Sequence, residues 1–214
     1  MSGDNKVVVL GSGGHARAVA DAATSSGFAV EEVLGLDHND STFEALLQRI
    51  SLLDLSSTSL ALGVGTNHVR ARLHQRVITT FPHAVFPSII HHTAWVSTDS
   101  AIDDGAILLA FASVGPGARA GVGSLLNTGA SLDHDSTVGD YGSLGPGVRT
   151  GGDASIGSRT MVGMQAGILH GRTVGDDSVI GAHSAVVHDI PSLCVAYGTP
   201  CRVIRTRNQD EDYY

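Results

Sequence analysis

A strict six-residue period dominates the second half of the chain. From Val96 to Val186, every sixth residue is Val, Ile or Leu in fourteen of sixteen cases. The residue that follows is often Gly, and the fourth residue after each apolar one is usually Ser, Ala or Gly. This period fits neither a helix, with 3.6 residues per turn, nor a strand, whose pattern repeats every two residues. It predicts a hexapeptide β-solenoid, in which each coil has three flat faces and each face takes one hexad.

The array also predicts how side chains are arranged. It continues to Ile190 without an insertion, which corresponds to about five coils. Residues eighteen apart are expected to stack about 4.8 Å from each other, the spacing of neighbouring strands. A prism of this kind exposes flat faces and buries little core, so capping and side-by-side association are expected. The general rule for parallel crossovers favours a right-handed coil.

A different pattern precedes the array. An apolar run at Lys6–Leu10 predicts a buried strand, an Ala-rich segment at 16–26 a helix, and residues 30–36 a second strand. A third strand is expected at 60–63 and another helix at 67–79. This is a Rossmann-like βαβ unit, half of what a dinucleotide needs. We therefore divide the chain into an α/β domain at 1–86, a solenoid domain at 87–190, and a C-terminal cap with a polar tail at 191–214.

The turn after the first strand is rich in glycine. Gly11, Gly13 and Gly14 match the pattern G-x-G-x-x-G/A at the start of the first helix. Glycines let the backbone approach a diphosphate, and the helix N-terminus offers free N–H groups. Asp37 ends the second strand near the usual distance for an acidic residue that binds a ribose. Nucleotide binding is the favoured interpretation, and a tight turn without a ligand is the alternative.

Composition and charge limit which partners and which cellular compartment are expected. The formal net charge is −8 and no Lys/Arg run occurs, so neither nucleic acid nor an anionic membrane is an expected partner. Cys194 and Cys201 form no C-x-x-C motif. No secretory signal or apolar run of membrane length is seen. We expect a cytoplasmic protein without membrane insertion.

Histidines occupy the third place of three hexads: His134, His170 and His188. They are predicted to form one column along the prism, with His134 and His170 roughly 9–10 Å apart, too far for direct contact. His134 lies between Asp133 and Asp135. A carboxylate beside an imidazole can hold its tautomer and stabilise the imidazolium after it takes a proton. A surface histidine on a polar turn would give the same pattern, so spacing alone leaves both interpretations open.

Together these motifs resemble one family. The glycine turn ends in His15, residues 86–91 read F-P-x-x-I-H, and the array carries Asn127-Thr128 and then Asp133-His134-Asp135. Over residues 6 to about 206, this combination is similar to the sialic-acid O-acetyltransferase and nucleotide-4-amino-sugar N-acetyltransferase family. The resemblance implies a left-handed parallel β-helix behind a Rossmann-like half. It also implies a homotrimer with active sites between subunits, and acetyl-CoA as co-substrate.

The resemblance implies roles for individual residues. His134 matches the catalytic base, Asp135 its acidic neighbour, and Asn127 an asparagine near the acceptor amine. The N–H of Gly152 is expected to face the thioester carbonyl. The remaining matches are binding residues. For the nucleotide-sugar they are Gly11, Gly13, Gly14, His15 and Asp37, and for the far part of acetyl-CoA they are Gly181, Ala182 and Arg202.

Two positions depart from the family pattern. Many members carry a second histidine nine residues after the first, close to the thioester. Here that position is Ser143. Either its hydroxyl takes over the role of that histidine at acetyl-CoA, or that role is missing. The proline that usually follows the first solenoid histidine is His92, which is expected to change only the entry to the first coil.

The expected reaction is acetyl transfer to the amino group of a UDP-, dTDP- or GDP-linked 4-amino sugar for glycan biosynthesis, with no metal. Direct attack is favoured over an acyl-enzyme because only Ser136 lies beside the base. Three alternatives stay open. The first is O-acetylation of a sugar or sialic acid at the same site. The second is a metal-dependent, carbonic-anhydrase-like solenoid, although the position five beyond His170 is Gly175. The third is a non-catalytic nucleotide-sugar-binding protein.

Overall fold

The N-terminal part is a three-stranded parallel sheet with helices around it. The computed structural model describes residues 5–35 and 40–212. The strands are β1 (Lys6–Leu10), β2 (Ala29–Leu34) and β3 (Thr58–Leu62), in the order β2-β1-β3. The helices are α1 (Gly13–Ser25), α2 (Asp40–Ile50) and α3 (Asn67–Thr80). The predicted elements are therefore present, with boundaries shifted by up to three residues, and Asp37 lies outside the described residues.

The glycine turn has a steric reason. A Cβ on Gly11 would lie 2.2 Å from the carbonyl oxygen of Gly63, which follows β3. Gly63 in turn donates its N–H to Leu10 O at 2.8 Å. Gly13 has φ 74°, a conformation that favours glycine, and begins α1. The ends of β1 and β3 thus pack backbone to backbone, directly before the N-terminus of α1.

The solenoid consists of two-residue parallel strands that form three faces. Face 1 contains the strands Ile89–Ile90, Ile107–Leu108, Leu125–Leu126, Ser143–Leu144, Met161–Val162 and Val179–Ile180. Face 2 contains Trp95–Val96, Ser113–Val114, Ser131–Leu132, Arg149–Thr150, Gly167–Ile168 and Ala185–Val186. Face 3 contains Ala101–Ile102, Arg119–Ala120, Thr137–Val138, Ser155–Ile156 and Thr173–Val174. Residues eighteen apart pair in register, such as Leu126 with Leu144.

The coil is left-handed and makes about six turns. The expected number was about five, and the array gains a turn because Ile89–Ile90 already pairs with Ile107–Leu108. The hand agrees with the resemblance and not with the general rule for crossovers. That rule concerns crossovers that pack a helix on a sheet, whereas these strands are joined by four-residue turns such as 127–130.

The six-residue period corresponds to the inside of the prism. The apolar column is buried, with Leu108, Leu144 and Val162 at 0% exposure. The small residues four places later lie inside the corners, where Ala106 and Ala130 are also fully buried. Each coil thus fills its narrow interior with one aliphatic side chain per face and one small residue per corner.

The α/β part packs on the outside of face 1. The outward residues Ile89, Ile107 and Leu125 belong to the same apolar cluster as Leu62 and Phe86. This cluster joins the two parts of the chain through a continuous core. The outward residues of face 3 are instead exposed to solvent.

The last coil is closed by the C-terminal segment. The strand Cys194–Tyr197 extends face 1 and pairs antiparallel with Arg202–Thr206. Cys194 and Cys201 are buried free thiols. None of the helices within residues 5–35 and 40–212 is long and apolar enough to cross a membrane.

Removing core volume from the prism should lower stability. Leu108→Ala deletes a fully buried side chain, and we expect the free energy of unfolding to fall by about 2–5 kcal/mol because a cavity remains. Urea denaturation at one fixed chain concentration measures the change. Thr173→Ala, on the exposed face 3, is the control and should change it by less than about 0.5 kcal/mol. Equal effects of the two substitutions would contradict the assignment of the core.

Candidate active site

Several of the predicted site residues lie on turns that link the faces of the solenoid. Turns from face 1 to face 2, here named corner 1–2, include Asn127, Gly181 and Ala182. Turns from face 2 to face 3, named corner 2–3, include His134 and Gly152. The third set, corner 3–1, lies beside the α/β part.

His134 and Asp135 form a paired acid and base on corner 2–3. The His134 Nδ1 lies 2.8 Å from Asp135 Oδ2, and their side chains are 50% and 68% exposed. Asp135 has φ 57°, a left-handed turn conformation that Asp tolerates better than most residues. The hydrogen bond to Asp135 raises the pKa of His134 above its ordinary value, and the charges of Asp133 and Asp153 act in the same direction. With Nδ1 engaged, Nε2 is the nitrogen left for a ligand.

Gly152 lies directly beneath this imidazole. A Cβ on Gly152 would lie 2.2 Å from both Cε1 and Nε2 of His134. A side chain there would displace the ring, so glycine is required. Within the described residues, no acceptor takes a hydrogen bond from the Gly152 N–H. The Gly152 N–H is thus a free donor close to His134 Nε2. An oxyanion site beside a general base needs such a donor.

Ser136 is buried and stabilises this turn by hydrogen bonds. Its side chain is fully buried, and its hydroxyl donates to Gly151 O at 3.0 Å. The Ser136 hydroxyl oxygen also accepts a hydrogen bond from the N–H of Ala154 at 3.0 Å. The expectation of direct attack, without an acyl-serine, is consistent with these contacts.

His170 approaches His134 more closely than expected. The two ring centroids are 6.4 Å apart, instead of the predicted separation of roughly 9–10 Å. Strand spacing fixes the backbones, whereas the His134 ring leans along the prism axis over Gly152, which has no side chain. Across residues 5–35 and 40–212, no group of three or more His, Cys, Asp or Glu side chains is arranged to hold a metal ion.

A groove runs along corner 1–2. It has a volume of about 520 Å³, and its walls include Asn127, Met164, Gly181 and Ala182. The Asn127 Oδ1 accepts the N–H of Thr128 at 2.8 Å. Arg202 begins the strand that pairs with Cys194–Tyr197, at the end of the last coil. The structure therefore aligns three of the residues predicted for acetyl-CoA and the acceptor along one corner.

The two corners are not brought together within one chain. Asn127 and His134 belong to the same coil, but the face 2 strand Ser131–Leu132 lies between them. Gly152 and Gly181 also lie on different corners, and they belong to different coils. A single chain thus presents two separate half-sites, one with the base and one with the groove.

Ser143 is not placed to contact acetyl-CoA. It is 1% exposed and lies on face 1 beneath α3. Its hydroxyl donates to Asn67 Oδ1 at 2.6 Å and accepts from Arg70 Nη2 at 2.9 Å. The prediction that this hydroxyl helps at the thioester does not fit these contacts, because the packing of α3 on the solenoid removes it from solvent.

The glycine turn presents the N-terminus of α1. Gly13 and Gly14 are exposed. His15 packs against the loop after β3, where a Cβ on Gly65 would lie 3.7 Å from its ring. Burial, followed by the charge of Arg70, lowers the pKa of His15 to about 4, so this ring is neutral at neutral pH. Its Nε2 is buried without a hydrogen-bond partner in the described ranges.

Sequence reasoning missed the residues that connect the α/β part to the prism. Arg70 is fully buried on α3 and donates to Gly123 O and Tyr141 O at corner 3–1. Asn67 Nδ2 donates to Arg159 O at 3.0 Å. A polar residue on a short helix carries no periodic signal of burial, so nothing in the pattern identified these contacts.

Two family models match the chain. The PglD N-terminal domain matches residues 6–77. The bacterial transferase hexapeptide model, of six repeats, matches residues 153–188. The first match covers the glycine turn and most of α3, and the second covers the later coils.

Two solved structures resemble nearly the whole chain. One is a mutant of GDP-perosamine N-acetyl transferase from Caulobacter crescentus in complex with CoA and GDP-perosamine, with 27% identity and a TM-score of 0.82 over 94% of this chain and 97% of that one. The other is the acetyltransferase domain of PglB from Neisseria gonorrhoeae FA1090 in complex with acetyl coenzyme A. It has 28% identity and a TM-score of 0.84 over 94% of this chain and 100% of that one.

A curated relative matches only part of the chain. Galactoside O-acetyltransferase of Escherichia coli (strain K12) is 51% identical over 61 residues, which are 28% of this chain and 30% of that protein. The match thus covers less than a third of that relative's length. The family models and the solved structures support the resemblance seen in the sequence. The chain resembles the hexapeptide-repeat acyltransferases with an N-terminal Rossmann-like half, a group that includes the nucleotide-amino-sugar N-acetyltransferases.

Proposed function

We propose that this protein transfers an acetyl group from acetyl-CoA to the amino group of a nucleotide-linked amino sugar. The observation that carries the proposal is the His134–Asp135 pair over Gly152, on a solenoid joined to a glycine-turn domain. The likeness over 94% of the chain to two acetyltransferase structures that contain CoA or acetyl-CoA supports it.

The chemistry follows from the free ring nitrogen of His134. The neutral amine attacks the thioester carbonyl carbon, and Nε2 takes the amine proton as the C–N bond forms. Asp135, bonded to Nδ1 at 2.8 Å, stabilises the imidazolium. The N–H of Gly152 donates to the oxyanion of the tetrahedral intermediate. When the C–S bond breaks, the CoA thiolate takes the proton from His134, which restores the base.

Acetyl-CoA lies in the corner 1–2 groove in this proposal. Gly181, Ala182 and Met164 line the groove, and Asn127 lies within it. Arg202 would meet the phosphates at the far end. Because Gly152 and Gly181 are on different corners of one chain, acetyl-CoA can contact both only between two copies.

The assembly proposed is a homotrimer with its sites between subunits. A cyclic ring brings different surfaces of neighbouring copies together, whereas a two-fold dimer pairs each surface with itself. In a cyclic trimer, corner 2–3 of each copy can lie beside corner 1–2 of the next. Four of the six outward residues of face 2 are small and would allow close approach of another prism, namely Ser113, Ser131, Gly167 and Ala185; the other two are Trp95 and Arg149.

The α/β domain of residues 1–86 would hold the nucleotide part of the acceptor. Gly13 and Gly14 bring exposed backbone to the N-terminus of α1, which attracts a diphosphate, and the buried Gly11 lets the turn pack against Gly63. His15 would act as a neutral hydrogen-bonding group. Asp37 stays a prediction for the ribose. Two buried free thiols are typical of a reducing compartment such as the cytoplasm, where we place the reaction.

O-acetylation by the same site is the second candidate. The local match to galactoside O-acetyltransferase favours it. Thiol release from acetyl-CoA, measured with UDP-, dTDP- and GDP-linked 4-amino sugars and with the matching hydroxyl sugars, separates the two. We expect turnover with an amino acceptor. Turnover with hydroxyl acceptors alone would reject the proposal.

Loss of the base should abolish most turnover without loss of structure. We expect His134→Ala to lower kcat by about 10²- to 10⁴-fold, the usual contribution of a general base. Thiol release measures kcat, and size-exclusion chromatography checks assembly. His83→Ala, an exposed histidine on the loop after α3, is the control and should keep wild-type turnover. Near-normal turnover in His134→Ala would show that another group is the base.

The pH dependence should report the pairing with Asp135. The base must be neutral, so kcat falls as pH drops through the pKa of His134, which the hydrogen bond to Asp135 raises. Asp135→Asn removes that charge, so the pKa falls and the acid limb of the kcat profile moves to lower pH. Asp99→Asn, at the same turn position two coils earlier, should leave the limb unchanged. An unshifted limb in Asp135→Asn would contradict the role of this carboxylate.

A further inference from the structure

Arg70 joins the α/β domain to the solenoid through several hydrogen bonds of one side chain. Its side chain is fully buried in α3. The Nη1 donates to Val64 O and Gly65 O, both at 2.9 Å. These carbonyls belong to the loop after β3, which packs against the glycine turn and His15. One side of the guanidinium is therefore fixed to the proposed nucleotide site.

The other side of the guanidinium is fixed to the prism. Nε donates to Gly123 O at 2.8 Å, and Nη2 lies 2.9 Å from both Tyr141 O and Ser143 Oγ. The planar fork of Arg presents its donors in a rigid arrangement, so these bonds fix distances and angles at once. Two successive coils of the solenoid are thus tied to the loop beside the glycine turn.

Asn67 and Ser143 complete this junction. Asn67 Oδ1 accepts from Arg70 Nη2 at 2.9 Å and from the Ser143 hydroxyl at 2.6 Å. Asn67 Nδ2 reaches the next coil, where it donates to Arg159 O at 3.0 Å. Arg159 is itself held by a two-bond ion pair with Asp177, at 2.8 and 2.7 Å. The junction therefore spans coils through Arg159 and Asp177 and is buried at its centre.

We propose that Arg70, Asn67 and Ser143 are positioning residues, which set the nucleotide-binding turn at a fixed distance from the solenoid and so place the acceptor amine. The inference rests on the proposed function. It assigns Ser143 to the acceptor side of the reaction and removes it from the acetyl-CoA side. In a reaction where one substrate is anchored far from the reacting atom, a small displacement of the anchor lowers the rate strongly.

Disturbing this junction should lower the rate only with acceptors that carry a nucleotide. An amino sugar without a nucleotide does not use the anchor, so its acetylation does not depend on the junction. Binding of acetyl-CoA at corner 1–2 does not depend on it either. A hydroxyl that worked at the thioester would instead affect every acceptor and the KM for acetyl-CoA.

The test is Ser143→Ala in the full chain. Thiol release is measured with the best nucleotide-linked amino sugar of the UDP, dTDP and GDP series, and with the same amino sugar without its nucleotide. We expect kcat/KM for the nucleotide-linked acceptor to fall about tenfold, the size of one lost buried hydrogen bond. The KM for acetyl-CoA and the slow rate with the nucleotide-free sugar should stay within about twofold of wild type.

Ser155→Ala is the matched control, because Ser155 holds the same strand position on the exposed face 3; it should behave as wild type. Equal losses with both acceptors, a raised KM for acetyl-CoA, or no change at all in Ser143→Ala would each overturn the proposal.

Arg70→Lys is a second variant, since Lys keeps the charge but cannot reproduce the planar fork of donors that Arg presents. It should show the same selective loss, and a loss common to both acceptors would overturn the proposal. Activity of the wild type is judged separately, so failure here leaves the proposed function standing.

Discussion

The parallel backbone ladder between successive coils determines everything else in this molecule. Each coil donates its N–H groups to carbonyls of the coil eighteen residues away, as from Leu125 to Gly142 O and from Asp153 to His134 O, both at 2.9 Å. The ladder continues through the corners as well as the faces. Side chains therefore stack in columns, and the column fixes which residues meet. His134 lies over Gly152 because they are eighteen residues apart, and the ring has room because Gly152 lacks a side chain.

The same constraint separates residues that are close in sequence. Asn127 and His134 are seven residues apart, so they occupy neighbouring corners with a strand of face 2 between them. No loop interrupts the array, so no insertion within a coil can bridge that separation. The rest of the site has to come from outside the prism. In our account a neighbouring copy supplies the other corner, and the α/β domain, held by Arg70, supplies the nucleotide anchor.

Much of this could be predicted from the sequence, because the period of six specifies faces, corners and an interior. The column that begins at Val96 and the small residues four places later are buried as expected. The glycine turn was also identified correctly, because Gly11 meets a steric demand that only glycine satisfies. The predicted separation of His134 and His170 was wrong, since strand spacing describes backbones and not the direction in which a ring leans. The predicted environment of Ser143 was wrong as well, because the packing of α3 on face 1 is a tertiary contact that no period encodes.

The claim that two copies complete one site can be measured directly by mixing variants. His134→Ala and Asn127→Ala each remove one half-site, so each should have little activity alone. Co-expressed with two affinity tags and purified as mixed assemblies, they should regain activity at about a third of the sites, because each mixed trimer has one interface in which an intact His134 from one copy meets an intact Asn127 from its neighbour. Recovery of that size in mixed assemblies is the predicted result. Mixed assemblies as inactive as the single variants, or an Asn127→Ala variant with full activity, would contradict the account.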